Sequence, residues 1–224
     1  MKDVKDLMAK RLTKNQITLL ASIAQIADRE DINVYIVGGF VRDLLLNIKN
    51  FDVDLVVEGD SVNFAEIIAK EFDGLFKSHA RFGTSVVVLQ DQSRIDVAMA
   101  RMESYPFPGA LPKVEPSSLD KDLSRRDFTI NSMAIKLSGE GAFSLIDYFN
   151  SEKDLKAGSI RVLHSQSFIE DPCRIFRAIR FEQRFRFCIE DQTKDFMRSA
   201  IDNNLVDQLS GTRLMNEIRL ILRE

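Results

Sequence analysis

The chain has little of what would take it out of ordinary globular chemistry. Its two cysteines among 224 residues, Cys173 and Cys188, exclude a disulfide framework, and neither lies in a metal-like spacing. No uninterrupted apolar run approaches the roughly 20 residues that a membrane helix needs. The opening MKDVKDLMAKRL lacks the apolar core of a secretory signal, so the cytosol is the expected compartment. A net charge of −3 excludes a global basic field for gripping nucleic acid. Five arginines nevertheless stand between Arg174 and Arg186 against one carboxylate, Glu182, so any polyanion contact is local. Of only five prolines, four fall within residues 103–120, which read as a mobile surface loop. The two histidines, His79 and His164, read as surface or packing residues.

What is present is a balanced composition, 45% apolar and 29% charged, with length enough for one large domain or two small ones. Apolar spacing predicts a helix over 14–28 with Thr13 as N-cap, a strand at 34–37, a helix in FVRDLLLN, a strand at 52–57, and a helix over 61–72 opening near Asp60. SVVVLQ and RIDVAMA, at 85–90 and 94–100, predict a hairpin, as do MAIKL and FSLIDYF around SGEG at 133–149. From Ser151 the reading is helical: 151–157, 171–187, 191–202 and 210–223, with Gly158 a stop and Asp171-Pro172 a start. The expected fold class is therefore α+β, with a change of character near residue 157. The final helix runs up to Glu224 with no closing cap, as in a piece of something longer.

Three stretches carry chemistry: VGGFVRD at 37–43, FDVDLVV at 51–57 and EDPCRIFRAIRF at 170–181. Gly38 and Gly39 between a strand and a helix offer a phosphate the backbone N–H groups of a helix start, and Arg42 adds charge one turn in. The alternative is a tight turn that needs glycine only for its dihedrals. Asp43 reads as a structural ion-pair partner. Asp52 and Asp54 share one face of a strand, about 6–7 Å apart along it, which suits Mg²⁺ and its preference for hard oxygen ligands. Asp96 joins them if its strand is a neighbour. The alternative is the wet face of a half-exposed strand. Asp171 reads equally as an N-cap and as an acceptor for a nucleobase amino group, with Arg174, Arg177 and Arg180 recurring along the same helix.

Together with LSRRDFTINSMAI and SGTRLMNEI, these stretches resemble the class II tRNA nucleotidyltransferase and bacterial poly(A) polymerase family, from about Val34 to Ile221. The resemblance implies a nucleotidyltransferase-type mixed-sheet head domain at 31–157, an all-helical neck at 158–224 and an N-terminal helical extension at 1–30. It implies addition of CMP, AMP or both from CTP and ATP to the 3′ end of RNA, tRNA foremost. Asp52 and Asp54 match the magnesium ligands, while Gly38, Gly39 and Arg42 fall in the nucleotide-binding motif. Arg126 and Asp127 match ribose and triphosphate contacts, and Asn131 lies in the same block. Asp171 and Arg174 match the residues that read the incoming base, and Arg177 and Arg180 continue the nucleotide site. The implied chemistry is in-line attack of a 3′-hydroxyl on the α-phosphate, with metals held by Asp52 and Asp54 and Asp96 beside them. Two departures stand out: no helical body and tail follow the neck, and NSEKDL stands where a glycine-rich turn is common. Poly(A) addition, adenylyl transfer to a small molecule and a non-catalytic RNA- or nucleotide-binding module are the rival readings. An intact Asp52/Asp54 pair weighs against the last.

Overall fold

The computed structural model describes residues 2–49, 52–79 and 82–223. Phe51 of FDVDLVV and the terminal Glu224 lie outside them. The chain opens with β1 (Lys2–Asp3) and α1 (Lys5–Arg11), then α2 (Lys14–Arg29). Thr13 caps α2 as expected: its hydroxyl accepts from the Gln16 amide while the Gln16 side chain accepts from the Thr13 amide. There follow β2 (Asn33–Val37), α3 (Gly39–Leu46), β3 (Val53–Glu58), α4 (Ser61–Glu71), β4 (Leu75–His79), β5 (Thr84–Val88) and β6 (Arg94–Met99). Asp60 starts α4, accepting from the Val62 and Asn63 amides.

Residues 103–120, expected to be a loop, instead carry structure. β7 (Arg101–Ser104) and β8 (Lys113–Pro116) form a two-stranded sheet, and α5 (Leu119–Ser124) follows. Proline is compatible with this because it stands only at the very end of β8, where a missing N–H disturbs no ladder interior. After a short 3-10 turn at Thr129–Asn131 come β9 (Ala134–Lys136) and β10 (Ser144–Ile146), then α6 (Ser151–Ala157), β11 (Ser159–Ile160), α7 (Ser167–Glu170) and α8 (Cys173–Phe185). β12 (Cys188–Ile189), α9 (Asp191–Asp202), a 3-10 turn at Leu205–Gln208 and α10 (Gly211–Ile221) complete the chain. The helix expected over 171–187 is α8, and it begins after Pro172 because a residue before proline is pushed to extended dihedrals: Asp171 has φ −138° and ψ 94°, which also separates α8 from the short α7 before it.

Two compact units emerge, each discontinuous in sequence: residues 1–102, 116–123 and 131–148 make the first, and residues 103–115, 124–130 and 149–224 the second. The first holds an eight-stranded mixed sheet in the order β1-β10-β9-β2-β3-β6-β5-β4, antiparallel throughout except for the parallel pair β3–β6. Its core is the buried face of those strands, with Ile36, Leu55, Val57 and Ile95, against Phe64 and Ile68 of α4. Glu58, ending β3, accepts the Leu119 amide at 2.7 Å and the Tyr35 hydroxyl at 3.2 Å, tying α5 to the sheet. Burial, with the Glu58 charge, pushes the Tyr35 phenol up.

The second unit is largely helical, with α10 and α7 against α8 and α7 against α9. It also contains a parallel strand pair, β11–β12, which helical periodicity could not disclose because each strand is two residues long. Phe128 meets Phe181 of α8 edge-on, ring centroids 5.9 Å apart. Among the described residues, no helix is long and apolar enough to cross a membrane. Phe64, fully buried between α4 and the strands, sets a check on the packing: Phe64→Ala should destabilise the first unit by about 3–5 kcal/mol, read from urea unfolding.

Candidate functional site

In the first unit the chemistry gathers at one end of the sheet. β2 and β3 are antiparallel with Ile36 opposite Leu55, so the turn that ends β2 lies beside the start of β3. That turn is Gly38, at φ 68° and ψ −129°, a backbone region essentially closed to residues with a Cβ. Its N–H donates to the Met133 carbonyl at 3.4 Å, and its carbonyl accepts from the Arg42 amide at 3.2 Å. Gly39 is the first residue of α3, whose free amide end is thereby set at the sheet end.

Arg42 sits in that helix but does not project from it. Only 5% exposed, it donates through Nε to Asp43 Oδ1 at 2.8 Å and through Nη1 to Asn131 Oδ1 at 2.6 Å. Asp43 is the buried structural partner the sequence suggested. Asn131, whose role the sequence left open, holds the other side of the guanidinium. Here Arg42 is a brace that fixes α3 to the turn at Thr129–Asn131.

The carboxylates follow from the parallel strands. Asp54 of β3 stands in register beside Asp96 of β6, so the two share a face, and Asp52 is exposed immediately before β3. The neighbouring strand that the sequence reading of Asp96 required is present, and both oxygens of Asp96 are held by a guanidinium. Arg94, two residues earlier on the same face, donates Nε to Oδ2 at 2.8 Å and Nη2 to Oδ1 at 2.6 Å. The Arg94 guanidinium is pushed up first by its hydrogen bond to Asp96, then by that charge, and further by Asp52 and Asp54. Among the described residues no three His, Cys, Asp or Glu side chains form a metal-holding group. The donors at Asp52 and Asp54 are hard oxygens. That set fits Mg²⁺, which needs only one or two carboxylates when phosphate and water complete its shell.

In the second unit, Asp127 receives Arg177 at 2.9 Å from Nε and 2.6 Å from Nη2, both on Oδ2, while its Oδ1 accepts the Phe128 amide. The charge of Asp127 is the main cause that pushes the Arg177 guanidinium up. Arg174 is 4% exposed, donating to Ser167 Oγ at 2.6 Å and to the Arg125 carbonyl at 2.7 Å. Arg180 is 9% exposed and lies over the Phe181 ring at 5.3 Å. Arg126 neighbours Arg125, which pairs with Glu103 at 2.9 Å. Arg174 and Arg180 are therefore buried and are not surface arginines. Asp171 combines both of its sequence readings: Oδ1 accepts the Cys173 amide at 3.0 Å, as a cap would, and also Arg213 Nη2 at 2.8 Å. Sequence reasoning missed Arg94 and Arg213. The i, i+2 spacing of Arg94 and Asp96 on a strand was a usable signal for the first, and the SGTRLMNEI motif for the second.

Residues 34–161, over half of the chain, match the poly(A) polymerase head domain. The chain belongs to that family. Within it, an A-adding tRNA nucleotidyltransferase from Geobacter sulfurreducens is 50% identical over 223 residues, covering all of this chain and 25% of the relative. A CCA-adding enzyme solved in an apo form superposes over 100% of this chain and 53% of that one, with TM-score 0.95 and 45% identity. A Thermotoga maritima CCA-adding enzyme complexed with tRNA_CCA gives TM-score 0.90 at 43% identity, over 100% of this chain and 51% of that one. The chain thus spans a quarter to about half of the length of these poly(A) polymerase head-family relatives.

Two outcomes follow from the site's electrostatics. Asp43→Ala leaves a buried guanidinium without its carboxylate and should cost about 3–5 kcal/mol in urea unfolding. Arg94→Gln removes the cation that shares the carboxylate face, so half-saturation by Mg²⁺, followed through metal-dependent ATP binding, should fall by about tenfold, on the order of one charge–charge contact in a wet site.

Proposed function

We propose that this chain carries the nucleotidyl-transfer chemistry of a tRNA nucleotidyltransferase: AMP, CMP or both pass from the triphosphate to the 3′-hydroxyl of an RNA, tRNA foremost, with release of pyrophosphate and no nucleic acid template. The observation that carries this reading is the shared sheet end, where the Gly38 turn and the α3 amides lie beside the start of β3 with Asp52 and Asp54. A phosphate cradle next to hard oxygen donors suits a triphosphate and its cation better than any single small ligand. The relatives, an A-adding tRNA nucleotidyltransferase and a CCA-adding enzyme complexed with tRNA_CCA, support RNA as acceptor.

Asp52 and Asp54 would hold Mg²⁺, which when bound supplies Lewis-acid stabilisation of phosphoryl charge and a more acidic attacking hydroxyl. The protein's own part is positioning. Arg42 keeps α3 rigid through Asp43 and Asn131, so its amides stay aimed at the triphosphate. Asp96, forked by Arg94, sets the charge beside Asp54. Arg126 and Asp127 take the ribose and triphosphate, with Asp127 steadied by Arg177. For the base, Asp171 is an acceptor: its Oδ2 takes neither of the two hydrogen bonds that Oδ1 receives. Adenine and cytosine carry an exocyclic amino group that can donate there, whereas guanine and uracil carry a carbonyl at that position of the pairing edge. By the same resemblance Arg174 and Arg180 belong to the nucleotide-binding residues, and Arg174 holds the Arg125 carbonyl next to Arg126.

The test uses tRNA lacking part or all of its CCA end, with ATP alone and CTP alone, and a full-length protein containing this chain alongside the chain itself. Asp54→Ala should lower incorporation by about 10³-fold, several kcal/mol of transition-state stabilisation, with circular dichroism unchanged. Undiminished incorporation would refute the assignment of the carboxylates.

A further inference from the structure

SGTRLMNEI contributed to the resemblance without a role for any of its residues. In the structure its arginine faces the base-reading carboxylate. Ser210 caps α10 by accepting the Arg213 amide at 3.4 Å, which sets Arg213 in the helix's first turn. From there Nη2 donates to Asp171 Oδ1 at 2.8 Å and Nη1 to the Gly109 carbonyl at 2.9 Å. We infer that Arg213 is a positioning residue for base selectivity, anchoring Asp171 by one oxygen so that the other stays turned to the nucleobase. The inference rests on the reading that Asp171 accepts from the base.

Asp171 needs such an anchor. It stands at the extended break between α7 and α8, where its backbone is tied to Ser167 and Arg174 but its side chain keeps two torsions of its own. One hydrogen bond from the Cys173 amide leaves the carboxylate free to rotate about it. A second, charge-assisted bond from Arg213 on the same oxygen fixes the plane, and neither of these two bonds takes Oδ2.

The other arm of the fork explains why arginine serves here. Gly109 has φ 73°, and a Cβ on it would lie 3.1 Å from the Gln208 carbonyl. A residue without a side chain thus lets the 103–115 segment bring its carbonyl to Nη1. A planar guanidinium spans a backbone carbonyl and a carboxylate in one rigid group, and a lysine ammonium offers a single point. The ion pair is mostly shielded, with 25% and 20% of the two side chains exposed.

The experiment measures binding of ATP, CTP, GTP and UTP with Mg²⁺ by calorimetry, in the wild-type protein and in Arg213→Gln and Arg213→Lys, with folding checked by circular dichroism. The wild type should favour ATP and CTP. Arg213→Gln should cut that preference by about tenfold or more, the scale of one lost base-edge contact. Arg213→Lys should fall between them. Adding Asp171→Asn to Arg213→Gln should produce no further loss of preference. If both variants fold and keep the wild-type ratios, or weaken all four nucleotides equally, Arg213 is only a structural tie and the inference is overturned. Should Arg213→Gln not fold, the lysine variant decides by the same ratios. A wild type with no preference overturns the reading of Asp171 itself, and the inference with it, while leaving incorporation to be judged by the Asp54→Ala assay.

Discussion

Like charges held side by side on neighbouring strands weaken a sheet, and β3 and β6 hold Asp54 and Asp96 in that relation through a parallel pairing that runs from Val53 to Val57. The first unit is organised around this repulsion. Arg94 answers part of it with a two-point fork on Asp96, and the exposed position of Asp52 lets water answer another part. Carboxylates brought together on one face are a local conflict that a divalent cation and its phosphate can relieve, and a strand pair selected for stability alone has no use for it.

Rigidity around the conflict comes from burying charge. The Arg42–Asp43–Asn131 network lies almost wholly out of water, and its desolvation cost exceeds what a surface pair would incur. Its benefit is geometric. The guanidinium joins the helix that follows Gly38 to a turn 89 residues away in sequence, so the amide end of α3 cannot drift relative to β2 and β9. Gly38 could supply the bend alone, but a bend in a backbone region open only to glycine holds its direction because the elements on both sides are tied down.

Much of this was legible from residue spacing. The strands β2 and β3 and the helices α2, α4, α6 and α9 came from periodicity and capping, and the proximity of Asp96 to Asp54 was conditional on one pairing that the sheet supplies. What escaped had physical reasons. β1, β11 and β12 are two residues long, and β4 lies mostly exposed on an edge, so neither length nor alternation marks them. The burial of Arg42 depends on Asn131 and that of Arg174 on Ser167 and Arg125, partners that composition of the local segment cannot indicate. The compact units are discontinuous, recruiting 103–115 and 124–130 into the second, which no linear reading of composition would divide that way.

The arginines of α8 show why net charge was a poor guide to this molecule. Four of them, with Arg186 just beyond the helix, suggest a basic surface on an otherwise acidic chain. Two are more than nine-tenths buried, and a third is paired with Asp127, so the field they project into solvent is far smaller than their number. A buried guanidinium gives up long-range attraction and gains direction, since its donors are fixed in a plane and cannot be screened by salt as a surface charge is. Selectivity among nucleotides needs such fixed donors and acceptors, whereas affinity for any polyanion needs only exposed charge. The burial of Arg174 and Arg180 suits the former. Strong, sequence-indifferent grip on an RNA backbone then has to come from surfaces other than α8.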